Sequence, residues 1–383
     1  MICVFLISCL LTSSWAQERI IEPPLRIEFL PPEETQHLSA RNVSLAWIRM
    51  PVDHFDPKNP DTFLMRFMFN EQFFGGDGYP VFILVGGEWN INAGWLLAGN
   101  MFEMARENRG YQIYTEHRYY GETLPYSNFT TENLRFLNVD QALADLAYFI
   151  HDLKKQPRFA GSKIILYGGS YAANMVLWFK QRYPHLVLGT VASSGPILGK
   201  VDFTGYLEVV HEAFLLEGGQ QCINTINEGI ADTIAAMATE EGRRLLEQNY
   251  SCISGNTPME KIGGYIAAAR GLGNSCWRLG YENFLASYSL NTNCKFDEEF
   301  VFNAVERVNQ IFGGLEPNVN NTINIHGYID PWRALGVYDR DLKDNSPTAS
   351  HCFDMQSWLA TDTIFMTHVQ QNARRIVTSW LST

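Results

Sequence analysis

The stretch Gly168-Gly169-Ser170-Tyr171-Ala172 lies between a strand-like apolar segment, residues 163–167, and a helix-like apolar segment, residues 172–180. A serine flanked by small residues at a sharp turn from a strand into a helix is the nucleophile elbow of α/β-hydrolases. The sequence therefore predicts an α/β-hydrolase fold in which Ser170 is the nucleophile.

An acid and a base follow this serine along the chain. Asp330 comes just after a strand-like segment, residues 322–325, and His351 lies further on. A serine hydroxyl is a weak nucleophile, so an imidazole must take its proton and a carboxylate must orient that imidazole. The order serine, acid, histidine is the order of this fold. We predict Ser170, Asp330 and His351 as the triad, because His368 falls inside a helical pattern.

Strands and helices alternate around the elbow. Continuous apolar runs at residues 80–85, 111–115 and 187–192 predict buried parallel strands. Apolar residues at helical spacing between positions 143 and 153, and again between 366 and 380, predict helices. This alternation indicates a mainly parallel sheet that is covered on both faces.

The pattern changes in the middle of the chain. Isoleucines at positions 223, 226, 230 and 234 mark an amphipathic helix in this part. We predict a helical, disulfide-containing cap insertion at residues 199–319. The α/β-hydrolase domain is then formed by residues 17–198 and 320–383.

Cysteine usage separates the insertion from the catalytic loops. Four cysteines of the central part can form two disulfides in three possible connectivities, as an oxidising compartment allows. They are Cys222, Cys252, Cys276 and Cys294. Cys352, next to the predicted base, is then a free thiol, which we interpret as a small buried residue.

The N-terminal segment indicates the secretory pathway. Residues 1–16 carry no charged side chain, include an apolar run, and place the small residues Ser14 and Ala16 where signal peptidase needs them. No apolar run reaches the ~18 residues of a membrane-spanning helix. The sequence also contains four sequons, whose asparagines can receive N-glycans in the secretory pathway. They begin at Asn42, Asn128, Asn249 and Asn320.

Several further stretches carry a more specific signature than the triad. They are Glu116-His117-Arg118-Tyr119-Tyr120-Gly121-Glu122 and residues 52–57, 86–88, 141–146, 330–332 and 350–355. Together with the elbow, they resemble the S28 serine peptidases, and the pair His351-Cys352 is similar to the thymus-specific branch. The resemblance implies a secreted or lysosomal exopeptidase of the carboxypeptidase or dipeptidyl-peptidase type, which cuts near proline or near a chain end. It also implies a cap over the active site.

The oxyanion hole of this fold combines the N–H after the nucleophile with an N–H from the loop after an early strand. Here these groups are predicted to be Tyr171 with Gly87 or Glu88. The Glu88 carboxylate is also a candidate for binding the free amino group of a substrate; the alternative is a structural tie to Arg118 or to backbone. Residues 116–122 are predicted to be structural, with Arg118 as a buried organiser of loops.

Composition limits the partners. The formal net charge is −12 and no basic run occurs, which argues against nucleic acid and anionic membranes, since both bind clustered Lys and Arg. Peptide substrates are the expected partners, and Trp332 is a further candidate residue for substrate binding. A homodimer is compatible with the sequence. The predicted chemistry uses neither a metal ion nor a cofactor.

Two features depart from the family pattern. Ala173 stands where glycine is usual, and a segment of the Trp-x-Tyr-Gln-Thr-Cys type is not found in the sequence. In addition, residues 339–350 offer only Leu342 and Ala349 as apolar support, so a poorly held histidine is expected. Two alternatives to an active peptidase therefore stay open: an impaired secreted homologue that acts as a binding protein, and an esterase of the same fold.

Overall fold

The computed structural model describes residues 42–250, 298–338, 349–357 and 363–383. This part of the chain contains a seven-stranded sheet of order β1-β2-β4-β3-β5-β6-β7. The pairs β1–β2 and β2–β4 are antiparallel, and the remaining pairs are parallel. The strands are β1 (Ser44–Pro51), β2 (Thr62–Asn70), β3 (Val81–Val85), β4 (Tyr111–Thr115), β5 (Ile164–Gly169), β6 (Gly189–Ser193) and β7 (Thr322–Ile325).

This strand order, with two antiparallel pairings at one end of the sheet and the elbow strand near the centre, is that of the α/β-hydrolase fold. The predicted fold class is thereby confirmed. The strands predicted at residues 80–85, 111–115 and 163–167 coincide with β3, β4 and β5 to within two residues at either end. The antiparallel strands β1 and β2 had no counterpart among the sequence predictions.

Helices connect the strands and cover the sheet. The α-helices of the described residues are α1 (Asn100–Glu107), α2 (Thr131–Leu134), α3 (Val139–Lys155), α4 (Pro157–Ala160), α5 (Tyr171–Arg182), α6 (Gly205–Met237), α7 (Glu240–Tyr250), α8 (Glu298–Phe312) and α9 (Ile364–Ser382). Short 3₁₀ helices occupy Ala93–Leu96, Pro331–Leu335 and Phe353–Met355.

The core forms two layers, one on each face of the sheet. Side chains alternate along a strand, so successive residues of β3 point to opposite faces. Ile83 and Val85 pack in the layer that contains the buried faces of α3 and α5. Phe82 and Leu84 pack in the layer that contains α1 and α9. All five residues of β3 are buried, as expected for a strand covered on both sides.

The chain divides into two compact units. Helix α8 belongs to the unit that contains the sheet, where Trp178 stacks on Phe312 at 4.8 Å and the Asn309 amide bonds both backbone groups of Gly199 at 2.8 Å. The described residues of the other unit are 204–250, which form α6 and α7. The limits of the predicted cap, 199–319, stay a prediction.

The cysteines and the N-terminus are described only in part. Cys222, in α6, is disulfide-bonded, and Cys352 is a buried free thiol. The other three cysteines of the pairing prediction, and the predicted signal peptide at residues 1–16, lie outside the described residues. Among the described helices, none combines the length and apolar character needed to cross a membrane.

Candidate active site

Ser170 occupies a strained turn between β5 and α5. Its backbone has φ 55° and ψ −128°, a region that residues other than glycine rarely adopt, and its N–H donates to the Ser193 carbonyl at 2.9 Å. The neighbours must be small: a Cβ on Gly168 would lie 2.3 Å from the Ala172 carbonyl oxygen, and one on Gly169 would lie 2.4 Å from the Met355 sulfur. The local sequence therefore permits a turn that larger residues would block.

Ala173, which departs from the family pattern, fits the elbow helix without a gap. Its side chain is fully buried, and a Cβ on the facing Gly195 would lie 3.0 Å from the Ala173 methyl group. The absence of a side chain at Gly195 leaves the space that this methyl group fills. Ala173 is thus accommodated on this side of the elbow.

Asp330 and His351 form a buried hydrogen-bonded pair. His351 Nδ1 lies 2.9 Å from Asp330 Oδ1, and the two residues are 4% and 0% exposed. The backbone N–H of Trp332 donates to the same carboxylate oxygen at 3.0 Å, because Asp330 caps the 3₁₀ helix Pro331–Leu335. This bond fixes the orientation of the carboxylate toward the ring.

His351 sits on a tight turn. The Ile329 N–H donates to the Ala349 carbonyl at 3.1 Å, which ties the start of the turn to the loop after β7. On the other side, the Cys352 N–H donates to the Ser194 hydroxyl at 2.8 Å. The expectation of a poorly held histidine, which considered apolar support alone, is therefore wrong: hydrogen bonds on both sides hold the turn.

Charge around the site favours a protonated histidine. Burial of the ring lowers the pKa of His351, but the hydrogen bond to the Asp330 carboxylate and its negative charge raise it, and the pKa lies above its ordinary value. A carboxylate beside an imidazole stabilises the charged ring. The imidazole is consequently neutral, as a general base must be, only at correspondingly higher pH.

Glu88 lies near this histidine. Its side chain is exposed to solvent, yet enough protein surrounds it that partial desolvation raises the pKa of its carboxyl, while the charge of His351 lowers it. The carboxylate charge in turn raises the pKa values of Tyr120 and Tyr171, after burial as the larger cause. The solvent-accessible Glu88 carboxylate thus interacts electrostatically with His351 and with two phenols.

His117 orients one of these phenols. Burial lowers the pKa of His117 to about 4, so its ring is neutral at physiological pH. Its Nδ1 lies 2.7 Å from the Arg118 carbonyl, where only an N–H can bond, which leaves Nε2 as the acceptor for the Tyr171 hydroxyl at 3.2 Å. Sequence reasoning treated His117 as part of a structural stretch, and its link to the residue after the nucleophile was missed.

Arg118 has the structural role predicted for it. It is 1% exposed; its Nε and Nη2 bond Asp145 at 2.6 and 2.7 Å, and its Nη1 donates to the carbonyls of Val52 and Phe136 at 3.0 and 3.1 Å. The guanidinium thus joins four segments, which confirms Arg118 as a buried organiser of loops. The alternative for Glu88 was a tie to Arg118 or to backbone. The tie to Arg118 is wrong, since the guanidinium is directed at Asp145, but a hydrogen bond to its own backbone does lower the pKa of the Glu88 carboxyl.

Asp354 is a buried carboxyl in the 3₁₀ helix that follows the histidine turn, and the sequence analysis gave it no role. It is 2% exposed and accepts hydrogen bonds from the Ser193 hydroxyl and, at 3.4 Å, from the Tyr167 hydroxyl. Burial raises the pKa of Asp354 to about 6, although the bond from Ser193 lowers it. The sequence signals were its place three residues after the predicted base and within the family-like stretch 350–355.

A prediction on stability follows from the raised pKa of Asp354. The native state binds a proton at this carboxyl more tightly than the unfolded state, so Asp354 disfavours folding above about pH 6 and does so less at lower pH. Asp354→Asn keeps the acceptor oxygen and removes the titration. Between pH 7 and pH 5, the free energy of unfolding of the wild type relative to this variant is expected to rise by about 1.4 kcal/mol.

Urea unfolding of both proteins at the two pH values measures this difference, and the contributions of all other titrating groups cancel in the comparison. A difference in unfolding free energy that is the same at pH 5 and pH 7 would mean that Asp354 is already ionised in the folded protein at pH 5.

The fold and the buried Asp-His pair near an elbow serine place the chain among the serine hydrolases. A family model described as serine carboxypeptidase S28 matches residues 50–261 and 290–373, which is most of the chain. The chain therefore belongs to the S28 family of serine peptidases, as the motifs predicted, and it is an enzyme that hydrolyses peptide bonds.

Individual relatives agree with this assignment. The chain is 25% identical over 443 residues to the thymus-specific serine protease of Mus musculus, covering 88% of this chain and 87% of that protein. It is 35% identical over 185 residues to the lysosomal Pro-X carboxypeptidase of Bos taurus, covering 46% of this chain and 37% of the relative. Among solved structures, a Pyrococcus furiosus esterase aligns with 96% of this chain and 100% of its own, at 12% identity and a TM-score of 0.39.

Proposed function

We propose that Ser170, His351 and Asp330 are the catalytic triad of an exopeptidase. The observation that carries this proposal is the buried 2.9 Å contact between His351 Nδ1 and Asp330 Oδ1 beside the elbow. Because Nδ1–H donates to the carboxylate, Nε2 is the nitrogen that accepts the proton of Ser170 Oγ. The strained backbone of Ser170 presents this oxygen at the end of the strand.

The reaction then proceeds through an acyl-enzyme. Ser170 Oγ attacks the scissile carbonyl carbon while His351 takes its proton, and the N–H groups of Tyr171 and of Gly87 or Glu88 stabilise the resulting oxyanion. Tyr171 is the first residue of α5, where N–H groups lack intrahelical acceptors and the helix dipole favours negative charge. His351 protonates the leaving amine, and water releases the acyl group by the reverse sequence.

A fluorophosphonate probe tests this proposal, because only an activated serine reacts with it. Labelling of the purified wild-type protein, blocked by His351→Ala, would support the triad, whereas an unlabelled wild type would refute it.

Glu88 favours recognition of an amino terminus. An accessible carboxylate that interacts with the charge of His351 attracts the ammonium group of a substrate and repels the terminal carboxylate that a carboxypeptidase must bind. Of the two exopeptidase types, we therefore propose the dipeptidyl-peptidase type for this chain. Trp332 is half-buried with its ring 5.8 Å from that of Phe203, and we propose it as an apolar contact for the substrate.

Glu88→Gln is expected to lower kcat/KM on peptides with a free amino terminus by about 10- to 100-fold, since a hydrogen bond between charged groups is lost. Peptides with an acetylated amino terminus should be cleaved poorly by both the wild type and Glu88→Gln, with similar kcat/KM values. Glu132→Gln, at an exposed ion pair with Arg135, is the matched control and should leave kcat/KM unchanged. Equal losses on free and acetylated peptides would exclude amino-group binding by Glu88.

We propose a compartment of the secretory pathway, secreted or lysosomal, for the protein. Three of the four sequon asparagines, Asn42, Asn128 and Asn320, are exposed, as glycan attachment requires; the side chain of Asn249 lies outside the description. One relative is named as lysosomal. A fall in mass on glycosidase treatment of the secreted protein would support this, and an unchanged mass would argue against glycosylation.

A further inference from the structure

Two buried serines lie between the elbow and the histidine turn. Ser193 ends β6, Ser194 follows it, and both are 0% exposed. The Ser193 carbonyl accepts a hydrogen bond from the N–H of Ser170 at 2.9 Å and one from the Cys352 thiol at 3.7 Å. Burial raises the pKa of the Cys352 thiol, so the sulfur keeps the proton it donates. One carbonyl oxygen therefore contacts both the nucleophile residue and the residue after the base.

Ser194 makes a second link to the same turn. Its N–H donates to the Ile325 carbonyl at the end of β7 at 2.6 Å, and its hydroxyl accepts from the Cys352 N–H at 2.8 Å. Ser194 and Cys352 both have φ 54°, a left-handed conformation that is costly for residues with a side chain. Such backbone persists only where its surroundings fix it. Here two strained residues are bonded directly to each other.

A third link runs through the Ser193 side chain. Its hydroxyl donates to Asp354, two residues after Cys352, and the Asp354 carbonyl accepts from Gln370 of α9 at 3.0 Å. The end of β6 is thus bonded to the backbone N–H, the thiol and the carboxylate of one short turn. That turn begins at His351.

We propose that Ser193 and Ser194 are positioning residues. They hold the His351 ring at the place from which it can accept the proton of the Ser170 hydroxyl. This inference rests on the proposed triad. Ser170 and His351 lie on separate loops, and a reacting group misplaced by about 1 Å can cost ~10²-fold in rate. Ser194, whose hydroxyl bonds the residue next to His351, contributes to kcat through the placement of that ring.

Ser194→Ala removes the acceptor and is expected to lower kcat by about 10- to 100-fold with KM little changed. Ser194→Gly removes the same hydroxyl while relieving the φ strain, so a matching loss assigns the effect to the hydrogen bond. Ser162→Ala is the matched control: Ser162 is 1% exposed, its hydroxyl has no partner among the described residues, and it precedes β5 at the end opposite Ser170. This control should keep the wild-type kcat.

Alkylation of Cys352 in the folded protein gives a readout that needs no catalysis. Loss of the Ser194 hydroxyl should loosen the turn and speed alkylation of the Cys352 peptide, detected by mass spectrometry, whereas Ser162→Ala should react like the wild type. The glycine variant keeps this test open if the alanine variant fails to fold. If fluorophosphonate does not label the wild type, the triad is refuted. If the wild type is labelled normally, but both Ser194 variants match Ser162→Ala in kcat and in the rate of Cys352 alkylation, the positioning role is refuted.

Discussion

Replacing Ser170 by alanine is expected to lower kcat for peptide hydrolysis by on the order of 10⁶-fold. The variant lacks the oxygen that forms the acyl-enzyme, and the oxyanion hole and substrate binding alone leave only a small residual rate. The change removes one atom from a residue that is 9% exposed and keeps the backbone bond to Ser193. Folding should therefore be retained.

Hydrolysis of a fluorogenic peptide and labelling by a fluorophosphonate measure this loss in the same preparation. Thermal unfolding monitored by circular dichroism shows whether the fold is kept, with Ser162→Ala as the control for loss of a buried serine hydroxyl. Activity of the purified Ser170→Ala protein near the wild-type level would remove Ser170 from the mechanism.

The elbow was predictable because its signal is local. The turn needs two small residues directly before the strained Ser170, and this need is visible in the sequence itself, as the close contacts at Gly168 and Gly169 show. Buried parallel strands leave an equally local signal, since both faces of β3 and β5 must be apolar. These features required no knowledge of which distant residues meet.

The antiparallel strands β1 and β2 left a weaker signal. β1 exposes Leu45 and Trp47, at 53% and 41%, while Met50 on the same strand is fully buried, so hydrophobicity does not separate its inner and outer faces. In β2, the buried Arg66 interrupts the apolar pattern. A charged side chain can be buried there because it is paired with Glu116 and Glu122. Tertiary pairing, which the chain's local pattern does not show, stabilises these strands.

The support of His351 was unpredictable for a different reason. Its turn is held by Ser194 and Asp330, which lie far from it in sequence. Few apolar residues precede the histidine in the sequence, whereas in the structure its turn is held by backbone and hydroxyl hydrogen bonds from neighbouring strand ends. Serines are common, and nothing in the local pattern of Ser193 and Ser194 marks them as acceptors for a distant loop.

Asp330→Asn is expected to lower kcat by about 10⁴-fold, less than loss of the nucleophile. The asparagine amide can donate to His351 Nδ1 and then stabilises the tautomer in which Nε2 carries the proton, which is the wrong one for a base. Asp330 Oδ1 accepts both His351 Nδ1–H and Trp332 N–H, so an amide nitrogen that faces His351 also gives up the Trp332 bond. Because the tautomer of the base is what changes, the loss should fall on kcat and leave KM nearly unchanged.

The same substitution should move the pH profile. The Asp330 carboxylate contributes to raising the pKa of His351, so the acid limb of kcat/KM in the wild type is expected above pH 6.5. Activity rises with pH through that pKa as the ring loses its proton. Removing the carboxylate charge lowers the pKa, so the limb of Asp330→Asn should lie at lower pH than that of the wild type.

His351→Ala and His368→Ala distinguish the base from the other histidine that follows Asp330. His351 is 4% exposed and bonded to Asp330, whereas His368 is exposed on α9. His351→Ala should cost on the order of 10⁶-fold in kcat, because a serine without its base is as inactive as no serine. His368→Ala should leave both kcat and the acid limb unchanged. The reverse result, an inactive His368→Ala and an active His351→Ala, would show that the buried Asp-His pair has a structural role and that the base lies elsewhere.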